Sequence, residues 1–248
     1  MSAVDWATIH SRPLVSVPGC WRVCNGFCCA NNHPDMRFRL IPGGGKGTTV
    51  IYLEDEYQWL KANGHVICGE EKGGEIQLLS FDFGGPRPIQ FRTAPCALMG
   101  QCNDICTKPL LCRTYPFLPV FGCDGEIEEL LPASILDATL TLKEGRDPCP
   151  LAKDQALFLK ALESEPELSR ALRHPYLILV SQAVKAFMTS YQSRLKAWDG
   201  FNSLSGTAFW QGWEMQYLGR RLVDREAVAA HLRHIHADLS KRFGDVLA

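Results

Sequence analysis

The chain of 248 residues is long enough to bury a substantial core, and its 46% hydrophobic and 21% charged residues exclude wholesale disorder. Its 26 basic and 27 acidic residues give a formal net charge of -1, so no electrostatic excess favours nucleic acid or an acidic membrane surface as a partner. No apolar run approaches the roughly 20 residues of a membrane helix, and Asp5, His10 and Arg12 stand where a signal peptide would be apolar. The composition therefore predicts a cytoplasmic protein without a nucleic-acid or membrane partner.

The N-terminal half is predicted to hold short strands around one helix. Residues 1–35 contain several Pro and Gly residues and are expected to be irregular. An amphipathic helix is predicted over Leu53–Asn63, ending before Gly64. Strands are predicted at Met36–Ile41, Thr48–Leu53, His65–Cys68, Ile76–Phe83 and Ile89–Phe91. These elements indicate a small β-containing core whose connecting loops carry cysteines.

From Leu131 onward the hydrophobic residues recur with the helical period. Pro166 and Pro175 each interrupt this pattern. Helices are predicted at about 135–142, 153–164, 167–196, 206–222 and 224–246. The sequence therefore predicts an α+β fold in which a loop-rich, cysteine-cluster part (residues 1–150) packs with a helical part (residues 151–248). The two parts form either two domains or one composite domain.

The chain contains 11 cysteines, all of them within the first 149 residues. A disulfide scaffold is disfavoured because the chain is long, the count is odd and no export signal is evident. Isolated thiols that act as small hydrophobes account for Cys68 and Cys123. They do not account for Cys20-x3-Cys24-x3-Cys28-Cys29 or Cys96-x5-Cys102-x3-Cys106-x5-Cys112. Closely spaced thiols converge on one ion at little entropic cost, so these two groups predict a metal site.

The type of ligand restricts the choice of metal. His33 is the only imidazole near the clusters, and the carboxylates lie outside the short cysteine spacings. An almost all-thiolate set favours Zn(II), Cu(I) or an iron–sulfur cluster over Mg, Ca or Mn. Four cysteines complete either a tetrahedral zinc site or a 4Fe-4S cluster, so the count leaves both open. The aromatic and cationic residues beside the cysteines favour iron–sulfur over zinc.

Several motifs follow one another in the order found in a known family. A close cysteine series ends in the adjacent pair Cys28-Cys29. A second series runs from Cys96 through Lys108-Pro109 to Cys112-Arg113-Thr114-Tyr115-Pro116-Phe117, and Cys149-Pro150 follows it. With the acidic-aromatic helix over Leu53–Leu60, this order resembles the YkgJ-type zinc- or iron-chelating cysteine-cluster family. The resemblance covers about residues 20–150.

The resemblance implies zinc or iron–sulfur binding and a set of ligand cysteines. The ligands that it implies are Cys20, Cys24, Cys28, Cys29, Cys96, Cys102, Cys112 and Cys149. They would serve two four-coordinate sites, or one cluster with a reactive or structural remainder. The role of Cys106 stays open.

Two cations in the second cysteine series are predicted to support a bound metal cofactor. Arg113 and Lys108 would offset thiolate charge or donate hydrogen bonds to sulfur. The aromatic residues that follow, Tyr115, Phe117 and Phe121, would either exclude water from the metal or pack in the core.

Three functions are compatible with these motifs. The leading one is a metal-binding protein with no assigned reaction. One branch of the resembled family, the flagellin lysine N-methylases, implies an enzyme that transfers a methyl group to protein lysine. The third is a metal carrier or sensor with an exchangeable site. Each of them requires a protein or small-molecule partner that the sequence does not name.

Overall fold

A computed structural model describes residues 3–11, 35–41, 49–65, 67, 76–96, 108–145, 149 and 155–247. The strands in these residues are β1 (Thr49–Leu53), β2 (Gln77–Phe81), β3 (Ile89–Pro95), β4 (Phe117–Phe121) and β5 (Ile127–Pro132). The helices are α1 (Trp6–Ser11), α2 (Glu54–Ala62), α3 (Leu110–Arg113), α4 (Ile135–Glu144), α5 (Gln155–Ser164), α6 (Pro166–Leu172), α7 (Pro175–Ala197), α8 (Gly200–Ser203), α9 (Gly206–Leu218) and α10 (Arg225–Phe243). The predicted α+β class is confirmed.

Strands β1, β3 and β2 form an antiparallel sheet in that order. Thr49 pairs with Pro95, and Gln77 pairs with Thr93 on the other side of β3. Helix α2 follows β1 directly and is tied to the central strand, because Arg92 Nε and Nη2 donate to the two carboxylate oxygens of Glu54 at 2.7 and 3.0 Å. This ion pair joins the first turn of α2 to the middle of β3.

Strands β4 and β5 form a separate hairpin that packs on α7. The backbone N–H of Phe121 donates to Ser181 Oγ at 3.1 Å, and Gln182 Nε2 donates to Phe121 O at 2.8 Å. Gly125 has φ +87° in the connecting turn, a conformation that favours glycine. The hairpin was not predicted because all five residues of β4 are buried and show no polar alternation.

The helical predictions of the C-terminal part are confirmed, with ends shifted by a few residues. The stretch predicted at 167–196 forms two helices, α6 and α7, each with a proline in its first turn. Tyr176 N donates to His174 Nδ1 at 3.2 Å and so caps α7. Helix α10 ends at Gly244, which has φ +79°. In the described part of the chain, no helix combines the length and apolar character that a membrane crossing requires.

The largest hydrophobic cluster contains side chains from both parts of the chain. Ile9 of α1 and Phe117 of β4 share it with Ile178 of α7 and Leu232 of α10. The N-terminal strands and the C-terminal helices therefore pack around common buried residues. The predicted boundary between residues 150 and 151 lies outside the described residues.

Three predictions for the N-terminal half are wrong in the residues that the structure describes. Residues 36–41 form no strand, because the N–H groups of residues 39–41 donate to a side chain instead of a neighbouring strand. Helix α1 forms where irregular structure was expected, and Thr8 N donates to Asp5 Oδ1 at 2.9 Å at its start. His65 and Ile67 are not in a strand, and the rest of the strand predicted at His65–Cys68 lies outside the described residues.

The acceptor for residues 39–41 is the buried carboxylate of Glu214 on α9. It accepts the N–H groups of Arg39, Leu40 and Ile41 at 3.0, 2.7 and 2.7 Å. Burial alone would raise the pKa of Glu214, but these N–H groups outweigh it and hold the pKa below its ordinary value. The stabilisation is therefore present above the ordinary Glu pKa and is lost as the pH falls through the lowered value.

We expect Glu214→Gln to reduce the free energy of unfolding by about 2 kcal/mol at neutral pH, because a neutral amide accepts these bonds more weakly. The difference from the unsubstituted protein should shrink as the pH falls through the lowered pKa, where Glu214 itself becomes protonated. Denaturant unfolding over this pH range measures it. Glu163→Gln, at an exposed position, is the control and should change stability by less than about 0.5 kcal/mol. A Glu214→Gln effect that does not vary with pH would contradict the assignment.

Candidate metal centre

Two of the predicted ligands, Cys96 and Cys112, pack against the same hydrophobic cluster. Cys96 follows the last residue of β3, and Cys112 lies on α3, which packs against β1. Both side chains are half-buried. The shared cluster consists of Val50, Tyr52, Tyr57, Leu60, Ile67 and Ala94. The fold thus brings these two cysteines, which are distant in sequence, to one side of the small sheet.

The position of α3 is set by the buried carboxylate of Glu56 on α2. Glu56 Oε1 accepts the backbone N–H of Leu110, the first residue of α3, at 2.7 Å. Glu56 Oε2 accepts the N–H of Leu53 at 3.3 Å, the reach-back that a Glu in the first helical turn commonly makes. One side chain therefore joins the start of α2 to the helix that carries Cys112.

Glu56 is held from its other side by helix α1. His10 Nε2 lies 3.0 Å from Glu56 Oε1, and both side chains are almost fully buried. The His10 ring stacks on Trp59, with the ring centroids 5.4 Å apart and an interplanar angle of 19°. Because Trp59 also packs against the cluster that contacts Cys96 and Cys112, α1 belongs to the surroundings of these cysteines.

Arg113 is a buried cation directly beside Cys112. Its side chain is only 1% exposed, although a guanidinium stays charged in proteins. Removing such a charge from water is costly unless anionic or hydrogen-bonding groups surround it. The thiolates of a metal site would be one kind of such group. Lys108, the second predicted cation, is half-buried on the segment that enters α3.

The remaining predicted ligands are not brought into this arrangement by the described residues. Cys149 is buried between α4 and α5. Cys20, Cys24, Cys28, Cys29 and Cys102 lie outside the described residues, as do Cys68 and Cys106. Among the side chains that the structure does describe, no three of His, Cys, Asp or Glu come together as a metal-binding group. The structure therefore leaves the complete ligand set a prediction.

Of the aromatic residues after Cys112, two pack in the core and one makes a hydrogen bond. Phe117 and Phe121 are buried in the largest cluster, so the core-packing interpretation is confirmed for both. Tyr115 OH donates to Asp137 Oδ2 at 2.6 Å and links the segment to α4. These contacts fix the chain on the C-terminal side of Cys112.

Two residues near Cys112 were missed in the sequence, Glu56 and His10. Glu56 carries a local signal, because a Glu three residues into a helix often accepts the N–H before the helix. Its contact with Leu110 has no such signal in the sequence, since the two residues are far apart along the chain. His10 was considered only as a polar residue in the first segment of the chain.

Comparison with known proteins identifies no relative of this chain. No family model, no curated protein and no solved structure matches the chain.

Cys123 lies apart from Cys96 and Cys112, in the turn between β4 and β5, and packs against the largest cluster. Burial raises the pKa of its thiol, and the carboxylates of Asp238, Glu128 and Asp124 raise it further. The thiol is therefore protonated at neutral pH, as expected of a small hydrophobe rather than a ligand.

We expect Cys123 to be alkylated more slowly in the folded protein than in denaturant-unfolded protein at about pH 8, because only the thiolate reacts. Asp238→Asn should accelerate the reaction by removing the largest carboxylate contribution to the raised pKa. Peptide mass spectrometry after timed alkylation measures both rates. Alkylation of the folded protein at the unfolded rate would show that the thiol is not protected.

Proposed function

We propose that this protein binds metal, and that its clustered cysteines hold an iron–sulfur cluster or a zinc ion. The observation that carries the proposal is the packing of Cys96 and Cys112 against one cluster. Arg113, which follows Cys112 in the chain, is a buried cation. A buried positive charge is favourable where thiolates supply negative charge.

The cysteine spacing supports the same proposal. Six further candidate ligands would complete the coordination, namely Cys20, Cys24, Cys28, Cys29, Cys102 and Cys149. Soft thiolate ligands select zinc or iron–sulfur over hard cations. The resemblance of the motif order to the YkgJ-type cysteine-cluster family points in the same direction.

The bound group decides what the site does. An iron–sulfur cluster supplies one-electron chemistry, and a zinc ion in a closed four-thiolate site supplies folding energy. In both cases Cys96 and Cys112 act as ligands, and Arg113 and Lys108 lower the electrostatic cost of gathering thiolates. We also propose a cytoplasmic location, where thiols remain reduced and available to the metal.

The test is metal analysis of the full chain after anaerobic purification. We expect iron with acid-labile sulfide and a visible charge-transfer band, or zinc without colour. Cys96→Ser and Cys112→Ser should each reduce the metal content by at least about half, because loss of a ligand opens a four-coordinate site. Elemental analysis and the visible spectrum measure the loss.

Cys123→Ser is the matched control for these variants. It removes one thiol from the largest cluster, away from the proposed ligands, and should keep the full metal content. The proposal fails when the unsubstituted protein carries only trace metal. It also fails when the Cys96 and Cys112 variants retain as much metal as the Cys123 variant.

We expect the Arg113→Met variant to release metal to a chelator about tenfold faster than the unsubstituted protein, because methionine lacks the positive charge that would offset the thiolates. The methionine side chain fills a similar volume. Arg113→Lys keeps the positive charge and should restore most of the retention. The measurement is the rate of metal transfer to a coloured chelator, with far-UV circular dichroism to verify folding. Equal rates for the Met and Lys variants would show that the charge has no part in metal retention.

A further inference from the structure

The Glu56 carboxylate connects α1, the start of α2 and the start of α3, although its own helix carries no predicted ligand. We propose that Glu56 is a positioning residue of the metal site, which fixes Cys112 by holding α3 in place. This inference rests on the proposed function, since it concerns the same site. It adds an acidic residue to a site so far described by thiols and cations.

Helix α3 depends on an outside contact for its position. It has only four residues, so it is a single turn and is not stable by itself. Its backbone bonds run from Cys112 N and Arg113 N to Pro109 O, at 2.9 and 3.0 Å, and from Thr114 N to Leu110 O at 3.0 Å. The first N–H groups of a helix have no acceptor within it. Glu56 supplies the acceptor for Leu110, two residues before Cys112.

The acceptor itself is held rigidly. Glu56 has no exposed surface, and its oxygens contact His10, Leu53 and Leu110 from three directions. The stacking of His10 on Trp59 fixes the imidazole that faces the carboxylate. A charged acceptor also makes a stronger bond to a backbone N–H than a neutral one. The position of α3 is therefore determined by a rigid and charged contact.

Glu54 provides a matched comparison in the same helical turn. Its carboxylate binds Arg92 on β3 and makes no contact with α3 that the structure describes. Substitution of Glu54 or Glu56 by Gln removes one negative charge from nearly the same place. Only the Glu56 substitution weakens the bond to Leu110.

The experiment is release of the native metal from full-length protein to a coloured chelator, followed with the visible spectrum of the bound metal. We expect Glu56→Gln to release metal about tenfold faster and to shift the spectrum, because loss of an outer partner loosens a ligand. Glu54→Gln should stay within about twofold of the unsubstituted rate. Circular dichroism verifies that each variant is folded.

A second pair of variants tests the same contact from α3. Leu110→Pro removes the N–H donor at the first helical position, where proline is compatible with the helix. Leu110→Ala loses the same buried side chain but keeps the N–H. We expect the Pro variant to release metal several-fold faster than the Ala variant. This pair decides the question if Glu56→Gln does not fold.

The outcomes separate this inference from the proposed function. Unsubstituted protein with only trace metal overturns the proposed function, and the positioning role falls with it. The positioning role alone is overturned if the unsubstituted protein binds metal but the Glu56→Gln and Glu54→Gln variants release it at equal rates. Equal rates of release from the Leu110→Pro and Leu110→Ala variants overturn it as well. Faster release from both Glu56→Gln and Leu110→Pro supports it.

Discussion

Two buried carboxylates of this protein accept backbone N–H groups from outside their own helices, and each joins separate parts of the chain. Glu56 accepts the N–H groups of Leu53 and Leu110, and Glu214 accepts those of residues 39–41. Each carboxylate lies on a helix and binds a segment distant in sequence, residues 39–41 for Glu214 and the start of α3 for Glu56. The cost of burying the negative charge is offset because several N–H groups point at it. Short irregular segments are thereby positioned as firmly as parts of a sheet.

The elements predicted from the sequence are those whose own residues determine them. Helices α7 and α10 have apolar residues at the helical period and a side-chain cap at the first turn, from His174 and Asp224. The prediction failed where contacts with residues distant in sequence determine the local structure. Residues 36–41 alternate as a strand would, but Glu214 takes their N–H groups. In β4 every residue is buried, so the alternation that identifies a strand is absent.

The same distinction applies to the candidate site. Cysteine spacing is a local signal, and it predicted Cys96 and Cys112 as partners before their packing on a common cluster was known. The cation at position 113 was likewise predicted from its neighbour Cys112, but its nearly complete burial was not. Glu56 and His10 are 46 residues apart, and Glu56 and Leu110 are 54 apart. No rule based on periodicity or spacing predicts contacts between residues so far apart in sequence, because these contacts exist only once β1, α2 and α3 have packed.

The burial of Arg113 has a consequence for how metal and fold would depend on each other. A guanidinium in the interior destabilises the folded chain unless negative charge lies close to it. Thiolates provide that charge only when a metal keeps them deprotonated. On our proposal metal-bound thiolates would add negative charge close to α3, the single turn that carries Cys112 and Arg113 and that Glu56 holds in place. Leu53 at the end of β1 and Leu110 at the start of α3 also belong to the largest hydrophobic cluster, so apolar contacts support this part of the fold as well. On our proposal, loss of metal would therefore weaken the packing of α3 and leave the apolar contacts of Leu53 and Leu110 in place.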